Sequence, residues 1–130
     1  MKKMKVIVAG SRSFKDYEVL CKTLDEMEIT TIISGGARGA DKLGERYAKE
    51  RGISLEQYPA QWDRYGNQAG FIRNVEMAEN ADTLVAFWDG ISTGTLHMIT
   101  VAKRAGVGCE GSQVYGVPLS QILSYYKPTL

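Results

Sequence analysis

The sequence predicts an α/β three-layer sandwich, built on a mainly parallel sheet of about five strands in the order 3-2-1-4-5. Two observations carry this reading. Short apolar runs alternate along the chain with longer segments whose apolar residues recur every three or four positions, strand and helix in turn. Three of those runs are continuously apolar, as strands covered on both faces are, and each leads straight into a stretch rich in glycine, serine and threonine.

The first strand spans about Lys5 to Gly10, and the helix after it carries Tyr17, Leu20, Cys21, Leu24 and Met27 on one face, with Ser13 and Asp16 at capping-box spacing. A second strand, about Thr30 to Ser34, runs through a double glycine into a helix with Ala40, Leu43, Gly44, Tyr47 and Ala48 on one side. Gly52 is placed to end that helix. Strand three, Ile53 to Tyr58, alternates apolar and polar residues and so belongs at the sheet edge, ending at Pro59. A longer connection from Ala60 to Gly70 precedes a third helix with Ile72, Val75 and Ala78 inward. Strand four, Thr83 to Trp88, is followed by a fourth helix, about Thr95 to Ala105, with Leu96, Ile99 and Ala102 on one face and a stop near Gly106. In the glycine-rich tail the strand candidate is Gln113 to Val117, before a final helical turn or two from Pro118. Right-handed crossovers between parallel strands make this a Rossmann-like arrangement.

Composition narrows the function classes. With 130 residues and 44% hydrophobic content, residues 1–130 fit a single domain with an ordinary core. Sixteen basic against fifteen acidic residues, and no basic tail, disfavour nucleic acid as a partner, so any phosphate binding is local. One histidine and two distant cysteines, Cys21 and Cys109, disfavour a metal site and fit a reducing, cytoplasmic location. No apolar run is long enough for a membrane span.

In a parallel sheet the three glycine-rich loops share one edge, the edge where such sheets bind ligands. They are Gly10-Ser11-Arg12-Ser13, Ser34-Gly35-Gly36-Ala37-Arg38-Gly39 and Gly90-Ile91-Ser92-Thr93-Gly94-Thr95. Glycine lets main-chain amides approach a ligand, helix first turns favour negative charge, and hydroxyls and guanidinium groups add directional donors. A phosphate-bearing ligand follows, with Arg12, Arg38 and Arg73 as its clamp. Each feature also has a plain structural reading. The glycines serve tight turns, Asp41 a helix dipole, Trp62, Tyr65 and Trp88 packing in place of base stacking, and His97 a hydrogen bond to a neighbouring helix in place of proton transfer.

The motifs Val8-Ala9-Gly10-Ser11-Arg12-Ser13-Phe14, Ser34-Gly35-Gly36-Ala37-Arg38-Gly39-Ala40-Asp41, Gly70-Phe71-Ile72-Arg73-Asn74 and Ala86-Phe87-Trp88-Asp89-Gly90 through Gly94-Thr95-Leu96-His97-Met98 resemble the small bacterial and phage, YspA-like members of the SLOG superfamily. That superfamily joins the Smf/DprA DNA-processing proteins, the LOG phosphoribohydrolases and sensor domains. The resemblance implies binding of a nucleotide or ADP-ribose-like ligand, with no cofactor required. The expected site comprises Gly10, Ser11, Arg12, Ser13, Ser34, Gly35, Gly36, Arg38, Gly39, Asp41, Arg73, Asn74, Trp88, Asp89, Ser92, Gly94 and Thr95.

Two alternatives stand beside it: N-glycosidic hydrolysis or transfer on a nucleoside or nucleotide, and single-stranded DNA binding in the manner of Smf/DprA. In the LOG enzymes a glutamate follows the GxGT loop, and here Met98 occupies that place. A substitute acid or base would come from Asp41, Asp89 or Glu76, of which Asp89, leaving strand four at the ligand edge, is the best-placed catalytic candidate. The resemblance also allows a homo-oligomer formed through helices beside the site.

Overall fold

A computed structural model describes residues 4–111. Its five strands are β1 (Met4–Gly10), β2 (Ile29–Ser34), β3 (Ser54–Gln57), β4 (Thr83–Phe87) and β5 (Gly108–Gly111), in the order β3-β2-β1-β4-β5. Every neighbouring pair is parallel, so the predicted order and direction hold. The helices are α1 (Tyr17–Asp25), α2 (Ala40–Arg51), α3 (Trp62–Tyr65), α4 (Ala69–Glu79) and α5 (Thr93–Arg104).

The period-2 geometry of β1 divides the core into two layers. Val6 and Val8 pack with Leu20, Leu24, Tyr47 and Ala48 of α1 and α2, while Ile7 and Ala9 pack with Met77, Ala78, Met98, Ile99 and Ala102 of α4 and α5. Both faces of β1 are therefore dry, the physical reason its sequence is continuously apolar. Helix α2 lies close on this strand, because a Cβ on Gly44 would come within 2.8 Å of Val8 Cβ. Polar ties hold α1 to α2 on their outer side. Tyr17 donates to Glu50 (2.7 Å), Tyr47 donates to Asp25 (2.6 Å), and Arg51 pairs with the same aspartate. Leu24 is fully buried in this layer, and Leu24→Ala is expected to cost about 2–5 kcal/mol, read as a lower urea midpoint at unchanged slope.

The structure corrects several expectations. Asp16, not Ser13, caps α1, its carboxylate accepting from the Val19 amide at 3.1 Å. The helix stops at Asp25, so Met27 lies beyond it, with its amide bonded back to Leu24. Val75 points outward at 42% exposure, and Asn74 and Met77 take the inner face of α4. The third helix expected after Gly70 begins at Ala69 as α4, and α3 and a 3-10 turn, Gly66–Gln68, occupy most of the longer connection before it. β5 forms at Gly108–Gly111, immediately after the turn at Gly106, where no strand was expected. The candidate strand Gln113 to Val117 and the helical turns after it lie outside the described residues.

Candidate functional site

Parallel pairing brings the carboxyl ends of β1, β2 and β4 to one edge, as the glycine-rich loops require. Ser11 knots the three loops together. Its amide donates to Phe87 O (3.0 Å), its carbonyl accepts from Phe14 N (3.1 Å) and Ala40 N (3.3 Å), and its hydroxyl accepts from Asp89 N (2.9 Å). Gly39 must pass against this knot, with its missing Cβ position only 2.2 Å from Ser11 O.

Over this edge opens a cavity of about 590 Å³. Its polar wall includes Gly10, Arg12, Ser13, Asp41, Arg73, Asn74, Asp89, Ser92, Gly94 and Thr95, all foreseen from sequence. Ala9, Met77 and Met98 supply apolar lining, and Trp62 and Phe71, which are 58% and 50% exposed, stand at its mouth with Asn67 and Gly70. Met98, at the position of the LOG glutamate, is buried and gives the wall a thioether.

Other foreseen residues lie behind the wall. Ser11, Gly39 and Trp88 brace the loops; the Trp88 indole N–H donates to Ser92 O at 3.0 Å and its ring is buried in the core, away from the cavity. Ser34 is buried beneath its loop, donating to Glu45 Oε2 (2.8 Å) and accepting from Gly36 N (3.0 Å). Gly35 is covered by Arg73. Gly36 and Arg38 are exposed and outside the lining set.

The densest chemistry centres on Gly35. A Cβ there would lie 2.6 Å from Arg73 Nη1 and 3.0 Å from Asp41 Oδ2, so glycine allows guanidinium and carboxylate to close over the backbone. Arg73 Nη1 donates to Gly35 O (2.6 Å) and Tyr58 O (3.4 Å), and Nε donates to Asn74 Oδ1 (3.1 Å). That last bond fixes the Asn74 amide, whose NH2 then faces His97 Nδ1 (3.1 Å) and Gly94 O (3.4 Å). His97 thus makes the expected bond to a neighbouring helix and packs against Phe71, ring centroids 4.3 Å apart and planes tilted by 44°. Burial and then the charge of Arg104 hold its pKa below the ordinary value, favouring the neutral ring that accepts from Asn74.

The two cavity carboxylates differ. Asp41 is 6% exposed, and burial pushes its pKa up to about 6, against the Ala37 amide and the Arg73 charge, which favour the ionised form. Asp89 is also pushed up by burial, but the amides of Ser92 (2.7 Å) and Ile91 (2.8 Å) and the hydroxyls of Ser92 and Ser11 outweigh this and leave it below the ordinary range. Asp89 is therefore an anionic clasp that folds the β4–α5 loop. The Ser92 side chain makes no capping bond, which leaves the first-turn amides of Thr93, Gly94 and Thr95 directed to the cavity end of α5.

Glu45 went unnoticed in the sequence, although its place one helical turn after Asp41 puts both carboxylates on the inner side of α2. Phe71 was also missed, because an isolated aromatic in a helix start carries no signal of which wall it joins. Among the described residues no group of three His, Cys, Asp or Glu side chains is arranged to hold a metal, and no helix is long and apolar enough to cross a membrane.

Comparisons with known proteins bear on the family and the fold. The profile of the YspA, cpYpsA-related SLOG family matches residues 4–65. The Gene 61 protein of Mycobacterium phage D29 is 36% identical over 114 residues, covering 79% of this chain and 91% of the phage protein. Among solved structures, DNA processing protein A (DprA) from Streptococcus pneumoniae superposes with a TM-score of 0.70 at 19% identity over 95% of this chain. This chain spans 57% of that protein, and the likeness is one of fold.

Proposed function

We propose, for a chain that belongs to the YspA, cpYpsA-related SLOG family, that it binds a nucleotide or ADP-ribose-like ligand in the cavity at the carboxyl edge of its sheet. One observation carries this reading: a single cavity of nucleotide-compatible size is lined by both cationic and aromatic side chains, with Trp62 and Arg73 flanking Gly70. Arg12, Arg73 and the uncapped turn of α5 belong to its wall and are suited to phosphate. Trp62 and Phe71 at the mouth offer faces for a base.

Calorimetry with a panel of nucleoside mono-, di- and triphosphates and ADP-ribose tests it. Arg73→Ala is expected to weaken binding by about 10- to 100-fold, the worth of a charge-assisted phosphate contact, whereas Arg38→Ala, outside the wall, changes affinity less than about threefold. Absence of heat from the whole panel at millimolar ligand overturns the reading.

A second reading, cleavage of an N-glycosidic bond, is favoured by the pairing of a readily protonated carboxyl, Asp41, with a firmly ionised one, Asp89, in one cavity. Free base released from the same panel on long incubation, and lost in Asp41→Asn, is its expected sign. A panel that binds and stays intact reduces the function to binding.

A further inference from the structure

We infer that the anionic part of the ligand enters beside Arg73 together with one proton, which is taken up by Asp41. This rests on the nucleotide reading above and adds to it a linked ion and a regulation by pH.

The geometry forces the coupling. Asp41 and Arg73 both line the cavity and both close over Gly35 without forming a direct ion pair, so a ligand anion that engages the guanidinium is drawn close to a carboxylate already held in the field of the same cation. Arg73 has spent its Nε and Nη1 hydrogens on Asn74, Gly35 and Tyr58. Its Nη2, on the side of Gly70, makes no hydrogen bond among the described residues and is the donor left for the ligand. Two anions would then share one partly buried cation.

The other charges around Asp41 do not relieve this. Glu45, one turn along α2 and also buried, adds a second negative charge, neutralised on its outer side by Lys42 at 3.3 Å. From the loop after β2 the Ala37 amide, at 3.2 Å, bonds the carboxylate, while the loop's cation, Arg38, is exposed and outside the cavity wall. Elsewhere on the wall Arg12 and Asp89 oppose one another in sign. Protonation is the economical relief, because the acid keeps one oxygen for the Ala37 amide and turns the other from an acceptor that repels the ligand into a donor to it. Free Asp41 already titrates at about 6, within reach of such a neighbour.

The proton balance is simple: one proton leaves the buffer and binds a carboxylate oxygen of Asp41, and no bond of the ligand changes. ADP-ribose is the probe, because its diphosphate diester lacks the second phosphate ionisation near pH 6 that a monoester would bring into the balance. Titrated calorimetrically at pH 7.5 in HEPES and in Tris, which differ in ionisation enthalpy, ADP-ribose is expected to take up close to one proton per site. Its Kd is expected to rise about tenfold per pH unit above about pH 6. Asp41→Asn is expected to abolish the uptake, to flatten the pH dependence and to bind about 10- to 100-fold tighter than the parent at pH 8. The buffer comparison on the unaltered protein needs no variant and stands if that substitution misfolds. Binding with equal Kd at pH 6 and pH 8 and no proton uptake overturns the inference and leaves nucleotide binding intact. No binding of ADP-ribose at any pH from 5.5 to 8 overturns the inference along with the ADP-ribose form of the reading on which it rests.

Discussion

Gly39→Ala is expected to lower the stability of the fold by about 3–5 kcal/mol and the melting temperature by on the order of 10–20 °C. The residue before α2 has φ 79 and ψ −126, a conformation that is essentially reserved for glycine. Relief by movement is blocked as well. A Cβ at this position would meet Ser11 O at 2.2 Å and Arg12 C at 2.6 Å, both backbone atoms. Ser11 is held by its bonds to Phe87, Phe14, Ala40 and Asp89, so a displacement there loosens three loops at once. Gly52→Ala is the comparison, since Gly52 has φ 66 but nothing within 4 Å of its added Cβ. It carries only the left-handed backbone cost, about 1 kcal/mol. Urea unfolding of the two variants checks the difference. Equal losses would mean that the close passage of Gly39 against the first loop contributes nothing.

That contrast also marks what the chain discloses before it folds. Strand order and the shared loop edge were legible, because continuous apolar runs such as Val6 to Ala9 and Leu84 to Phe87 are what burial on both faces demands, and the alternation in Ile53 to Tyr58 marks an edge. Gly52 was equally plain as a helix end. The glycines of the second loop were legible as a set but not individually: Gly35 makes room for Arg73, a residue 38 positions away, and Gly39 for the first loop. Such approaches depend on tertiary distance, which spacing does not encode. The same limit explains Val75, whose helical phase differs from the expected one once α3 and the 3-10 turn set the entry of α4, and Trp88, whose ring turns into the core while its N–H clasps Ser92. Asp89 was foreseen just past the carboxyl end of the fourth strand and is there, on the cavity wall, yet its oxygens fold their own loop through Ile91 and Ser92, a local bonding choice that residue type alone leaves open.

Asp41→Asn is expected to raise stability by about 1–2 kcal/mol at pH 8 and to leave it nearly unchanged near pH 4. Burial raises the Asp41 carboxyl from its ordinary 3.8 to about 6 in the folded chain, so the folded state holds this proton more tightly than the unfolded one. Stability from this group is therefore fully present below about pH 4 and is lost as pH rises through 6, a loss of roughly 3 kcal/mol by the linkage relation. An amide of the same shape escapes that loss. Part of the gain is returned, because half-buried Arg73 loses the charge beside it, although its bonds to Gly35 O, Tyr58 O and Asn74 remain. Urea unfolding of both chains from pH 4 to 8 measures the sign. If the variant proves less stable than its parent at pH 8, the attraction of Arg73 outweighs desolvation and Asp41 is a settled anion. If it proves more stable, a carboxylate that burdens the fold sits on a cavity wall beside the arginine assigned to phosphate. A role in binding then accounts for a carboxylate at this position, since packing and capping would be served as well by asparagine.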